Sequence, residues 1–126
     1  MSVLSQSTIA SEIAFSGIGI HTGNKVNIRV LPSVPNSGII FKRVDLNHNN
    51  IVIPNFENVT DATLCTTVSN QFGVKVSTIE HLMAAFLGLG IDNAIVEINS
   101  QEVPILDGSA KDFVKILKET GIKKSD

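Results

Sequence analysis

An α+β fold, a two-layer sandwich with both helices on one face of a mixed sheet, is the architecture this sequence predicts, and three observations carry it. Short segments that alternate apolar and polar residues fill the first part of the chain. Two segments of helical spacing lie further on, one at about 78–89 and one between Ser109 and Gly121. A strand-like stretch at about 92–99 separates them. Strands followed by helix, strand and helix are expected to stack the helices on the sheet as a second layer.

Alternation at Ile9, Ser11, Ile13 and Phe15 predicts a first strand, broken by Gly17-Ile18-Gly19. Val26, Ile28 and Val30 face one side of a second strand, with Lys25, Asn27 and Arg29 on the other. Pro32 and Pro35-Asn36-Ser37-Gly38 impose a turn before the strand Ile39-Ile40-Phe41. Ile51-Val52-Ile53 is another short strand, closed by Pro54, and two more flank Asn70-Gln71-Phe72-Gly73 at about 64–69 and 73–77. In the first helix Ile79, Leu82, Met83 and Phe86 stand at i, i+3, i+4 and i+7, and Gly90 is a natural left-handed terminator. The second helix has caps in Asp107-Gly108-Ser109, near-capping-box spacing from Ser109 to Asp112, an apolar stripe of Phe113, Val114 and Leu117, and a stop at Gly121.

The 126 residues form one domain, assigned to 1–122, and the polar residues 123–126 resemble an interdomain linker cut short. A hydrophobic content of 43% with 17% charged residues is that of an ordinary globular protein. A formal net charge of −2 and an aromatic content of 5% without Tyr or Trp disfavour nucleic acid as a partner. The single cysteine, Cys65, excludes an internal disulfide and suits a reducing, cytoplasmic compartment. No apolar run reaches the ~18 residues of a membrane span.

The chemistry concentrates in Ser77-Thr78-Ile79-Glu80-His81. Ser77 stands three residues before Glu80, the spacing of a capping box, so Glu80 either satisfies the Ser77 N–H or moves protons in a site shared with His81. At about 100° per residue, His81 lies about 200° from Ile79, off the main apolar face and beside the small residues Ala84, Ala85 and Gly88. His21, His48, His81 and Cys65 show no local metal-binding spacing such as H-x-x-x-H or C-x-x-C, and His48 belongs to a polar loop. The glycines of 17–23 lack the Lys and Ser/Thr of a phosphate loop. They serve either a tight hairpin needing positive φ or a loop that presents His21. Cys65, in Leu64-Cys65-Thr66-Thr67-Val68, reads more simply as a small buried hydrophobe than as a nucleophile.

Five segments in this order are specific together: 17–23, Leu64-Cys65-Thr66, Ser77 to Leu82, Gly88 to Asn93, and Val103 to Ala110. The series resembles the N-terminal half of the UDP-3-O-acyl-N-acetylglucosamine deacetylases, zinc enzymes of lipid A synthesis in Gram-negative bacteria, over nearly the whole chain. The resemblance implies a fold of the ribosomal-S5-domain-2-like type, with the active site between this domain and a similar C-terminal one. It implies Glu80 as general base, His81 as a ligand of Zn2+, and His21 at the edge of the site. Ile20, Thr63, Leu64 and Cys65 fall at positions lining the substrate groove, although the position of Thr63 often carries a larger apolar residue. Asp107 falls in the family's Asp-Gly-Ser motif, with helix capping as its expected role. The remaining zinc ligands, a histidine and an aspartate, and the histidine that protonates the leaving amine belong to the second domain. The implied reaction is metal-assisted amide hydrolysis of UDP-3-O-acyl-N-acetylglucosamine to UDP-3-O-acyl-glucosamine and acetate, with zinc completed only by that second domain. The competing expectation is a non-catalytic module of the same fold that binds a partner through the Ala84, Ala85 and Gly88 face.

Overall fold

The computed structural model describes residues 5–62, 65–106 and 110–125, with backbone only at Phe56. Its strands are β1 (Ser7–Ile9), β2 (Ile13–Ile18), β3 (Lys25–Pro32), β4 (Ile39–Arg43), β5 (Ile51–Val52), β6 (Val59–Asp61), β7 (Thr67–Ser69), β8 (Lys75–Ser77), β9 (Ala94–Ile98) and β10 (Ile122–Lys124). The helices are α1 (Glu80–Leu89), between β8 and β9, and α2 (Lys111–Thr120), between β9 and β10.

A five-stranded sheet in the order β2-β3-β9-β4-β5 forms the centre, and its β4–β9 pair is parallel while the others are antiparallel. The sheet is therefore mixed and the fold α+β, as the sequence predicts. Alternation sorts side chains between the two faces of a strand. Ile28 stands opposite Ile98, Val30 opposite Val96, and Val96 opposite Phe41, so one face is a continuous apolar surface. Those residues are fully or almost fully buried in one core with Leu82, Ala85 and Phe86 of α1 and Phe113 and Leu117 of α2. The rings of Phe15 and Phe113 pack at 5.9 Å between centroids, tying β2 to α2. The alternate positions carry charge, and Arg29 pairs there with Glu97 at 2.7 Å and Glu12 at 3.5 Å.

Two smaller sheets flank this one, β6-β7-β8 and β1-β10. The single strand expected over Ile9 to Phe15 is two strands. After Ile9 the N–H of Ala10 donates to Gly121 O at 2.9 Å, and β1 pairs antiparallel with β10 instead of continuing β2. The strand expected at 64–69 is confined, among the described residues, to Thr67–Ser69. Both helix stops fall where expected. Gly90 takes φ +71° and donates to Leu87 O, and Gly121 donates to Lys118 O.

The segment 101–105 stitches two sheets together. Ile105 N–H donates to Ile18 O at the end of β2, while Ser77, at the end of β8, donates to Gln101 O and accepts from Val103 N–H. The Gly19–Asn24 loop and the start of α1 are thereby drawn to the same segment.

Candidate active site at the start of the first helix

Glu80 and His81 occupy the first turn of α1, both half-buried. The capping box suggested by Ser77 and Glu80 does not form. The Ser77 hydroxyl donates to Gln101 O at 3.1 Å, the N-cap is Ile79 without a side-chain cap, and Glu80 Oε1 accepts from the Thr66 N–H at 3.4 Å. The physical reason lies at Thr78, which holds φ +60° between β8 and α1. A left-handed residue there turns the chain sharply, so Ser77 ends a strand and does not cap the helix. Such a φ is unfavourable for a β-branched side chain and persists only where surrounding contacts enforce it. The expected caps of α2 lie partly outside the described residues, as Asp107, Gly108 and Ser109 do, and the N-cap of that helix is Ala110.

An open cleft of about 780 Å³ runs beside this helix start, lined among others by His21, Thr22, Cys65, Lys75, Ser77 and Glu102. It brings together two of the predicted groove residues, His21 and Cys65. Cys65 is half-buried on the cleft wall, which corrects the expectation of a buried hydrophobe. Ile20 is exposed and is not among the residues lining the cleft, while Thr63 and Leu64 lie outside the described residues. Glu80 and His81 are not among the residues lining the cleft; Glu80 accepts from the amide of Thr66, next in sequence to the lining residue Cys65. Of the Ala84, Ala85 and Gly88 stripe, Ala85 is fully buried in the core, while Ala84 and Gly88 are exposed.

The sequence reading missed Glu102, which is fully buried at the foot of the cleft. Its carboxylate accepts from the backbone N–H groups of His21 at 3.0 and 3.2 Å and of Thr22 at 3.0 Å, and from the Thr78 hydroxyl at 3.2 Å. Burial alone would disfavour the charged form, but the Thr22 and His21 N–H donors, with the hydroxyls, prevail and hold the carboxyl below its ordinary range. The available signal was faint: an acidic residue leading the apolar Val103-Pro104-Ile105. Gly19 is small because a Cβ there would overlap Glu102 Oε1, whereas Gly23 supplies the positive φ, +72°, of the hairpin.

Catalytic zinc generally takes three protein ligands. Among the described residues no group of three or more His, Cys, Asp or Glu side chains is arranged to hold a metal ion, so His81 completes no such site within them. No helix is long and apolar enough to cross a membrane among the described residues.

The domain is thus an α+β fold with an adjoining carboxylate and imidazole in the first turn of a helix, near a polar cleft. Residues 6–126 match the family described as UDP-3-O-acyl N-acetylglycosamine deacetylase, and the chain belongs to that family. It is 45% identical over 119 residues to the UDP-3-O-acyl-N-acetylglucosamine deacetylase of Shewanella denitrificans, an alignment covering 94% of this chain and 39% of the relative. The proteins of the same name from Shewanella sp. strain ANA-3 and Shewanella baltica strain OS155 are each 44% identical over the same length. The chain thus spans about two-fifths of the length of the curated relatives it matches.

Proposed function

We propose that this chain is the N-terminal part of a zinc-dependent amidohydrolase that removes acetate from UDP-3-O-acyl-N-acetylglucosamine in lipid A synthesis, in the cytoplasm. The observation that carries this reading is the Glu80–His81 pair in the first turn of α1, in a chain 45% identical to a protein named for that deacetylation. His81 is one zinc ligand, and the other ligands and the acid that protonates the leaving amine come from a second domain. Zinc, when bound, supplies Lewis acidity toward the acetamide carbonyl.

Glu80 accepts a proton from the water that attacks the acetamide carbon. The C–N bond then breaks, acetate leaves, and the amine nitrogen takes a proton. Adjacent positions suit the two roles, since the carboxylate must reach the attacking water without itself occupying the metal. The first turn also carries the positive end of the helix dipole, which attracts the negative charge of a carboxylate. His21, Ile20, Thr63, Leu64 and Cys65 border the substrate.

The test joins this chain to the remaining segment of the Shewanella denitrificans relative and measures acetate release with zinc at saturation. The joined protein should be active, and Glu80→Ala should lower turnover by about 100-fold or more while zinc stays bound. Unchanged turnover would remove Glu80 from the chemistry. An unsubstituted protein that binds zinc without releasing acetate would refute the deacetylase reading.

A further inference from the structure

We propose that Glu102 is a positioning residue that locks the His21 loop to the start of α1 through one buried carboxylate. The kinetic consequence rests on the deacetylase reading; the coupling itself does not.

Two elements far apart in the chain meet on this side chain. From the loop between β2 and β3 come the N–H groups of His21 and Thr22, and His21 Nε2 lies 3.9 Å from Oε2. From the turn before α1 comes the Thr78 hydroxyl. All these hydrogen bonds run toward the carboxylate, and no lysine or arginine pairs with it among the described residues. Converging donors require an acceptor on both branches of the side chain, which a carboxylate has and an amide lacks. A glutamine of nearly the same volume would turn its NH2 group toward other donors.

The surroundings are shaped to the carboxylate. A side chain on Gly19 would overlap Oε1 and come within 2.6 Å of Thr22 Oγ1. Ser77, directly before Thr78, is held on both sides by Gln101 and Val103, the neighbours of Glu102. Thr78 keeps its left-handed φ between this backbone bridge and its own hydroxyl bond, and α1 begins two residues later at Glu80. Glu102 therefore fixes His21 directly and Glu80 and His81 through Thr78, without taking part in the chemistry.

Amide hydrogen exchange and backbone NMR spectra of the 126-residue chain test the coupling. Glu102→Gln should speed exchange at His21 and Thr22 by about tenfold or more, as expected for the loss of a hydrogen bond to a charged group. It should also shift the resonances of Thr78 to His81, leaving β3 and β9 unchanged. Thr78→Ala, a milder change made from the other end, should loosen the His21 and Thr22 amides in turn. If either variant disturbs only its own side, the coupling is wrong, and Thr78→Ala decides should Glu102→Gln not fold. In the joined protein at saturating zinc, Glu102→Gln should lower kcat by about tenfold, while Val103→Ala, a packing change next door, keeps it within about twofold. Equal kcat in both variants would reduce Glu102 to a structural residue. An inactive unsubstituted protein would count against the deacetylase reading alone, and the exchange measurements would still decide the coupling.

Discussion

The two helices are each ten residues long, and neither N-cap residue makes a side-chain cap, yet the described residues place them through different contacts. α2 is placed by apolar packing: Phe113 and Leu117 are buried, Phe113 meets Phe15, and Lys115, Lys118 and Glu119 face water. α1 has an apolar side of its own in Leu82, Ala85 and Phe86, but its first turn hangs from polar contacts at Thr66, Thr78 and Glu102. Apolar packing is non-directional and tolerates small shifts. Hydrogen bonds to a buried carboxylate fix direction, and leaving them unmade is costly. The start of the helix that carries Glu80 and His81 is held by directional contacts.

The contrast breaks most visibly at Phe113. Phe113→Ala should destabilise the chain by about 3–5 kcal/mol in urea unfolding, the range for a large aromatic removed from a core. The amides of His21, Thr22 and Thr78 should keep their native shifts in whatever fraction remains folded. Loss of the Thr78 geometry in that folded fraction would mean that α2 packing, and not the carboxylate, sets the start of α1.

A smaller and opposite-sided effect is expected at Glu102. Glu102→Gln should cost about 1–3 kcal/mol at pH 7, the penalty for buried donors left without an acceptor. The pH dependence follows from the lowered carboxyl. Folded Glu102 takes up its proton at lower pH than the unfolded residue, whose value is about 4.3. Its stabilisation is therefore complete above that value and fades as the pH falls through the lower folded one. Asp45 is lowered too, chiefly by its hydrogen bonds from Arg43 at 2.6 and 2.8 Å, so the whole chain loses stability in acid from more than one source. Subtracting the variant from the parent isolates Glu102: the difference should shrink toward acid pH. A constant difference from pH 7 to pH 3 would show that lost packing, and not charge, is being measured.

These expectations divide the molecule much as the sequence itself does. Alternating strands such as Val26, Ile28 and Val30, and helix stops such as Gly90, are local patterns and were legible. The three-residue strands β1, β6 and β10 were not, since each depends on a partner elsewhere in the chain or at a bulge. The Glu80–His81 pair could be picked out because its members are neighbours in sequence. Glu102 could not, because its contacts lie 24, 80 and 81 residues away and no spacing rule reaches that far. The capping box was misread for a related reason: the Ser77 hydroxyl was free in the sequence but is taken by Gln101 O in the fold.

The finest cut separates the strain at Thr78 from its hydrogen bond. Thr78→Ala and Thr78→Gly both remove the hydroxyl that donates to Glu102 at 3.2 Å, so they share that loss. They differ in the backbone. At φ +60° alanine retains the crowding of a Cβ, a cost of about 1–2 kcal/mol that glycine does not have. Glycine gives back part of this advantage, about 0.5–1 kcal/mol, through the greater freedom of its unfolded chain. Thr78→Gly should therefore be more stable than Thr78→Ala by up to about 1.5 kcal/mol, the reverse of the order expected inside a helix. Chemical unfolding of the two variants side by side reads the sign directly. Alanine the more stable would mean that the chain relaxes out of the left-handed region once the hydroxyl is gone, and that the bond to Glu102 had been holding the backbone there.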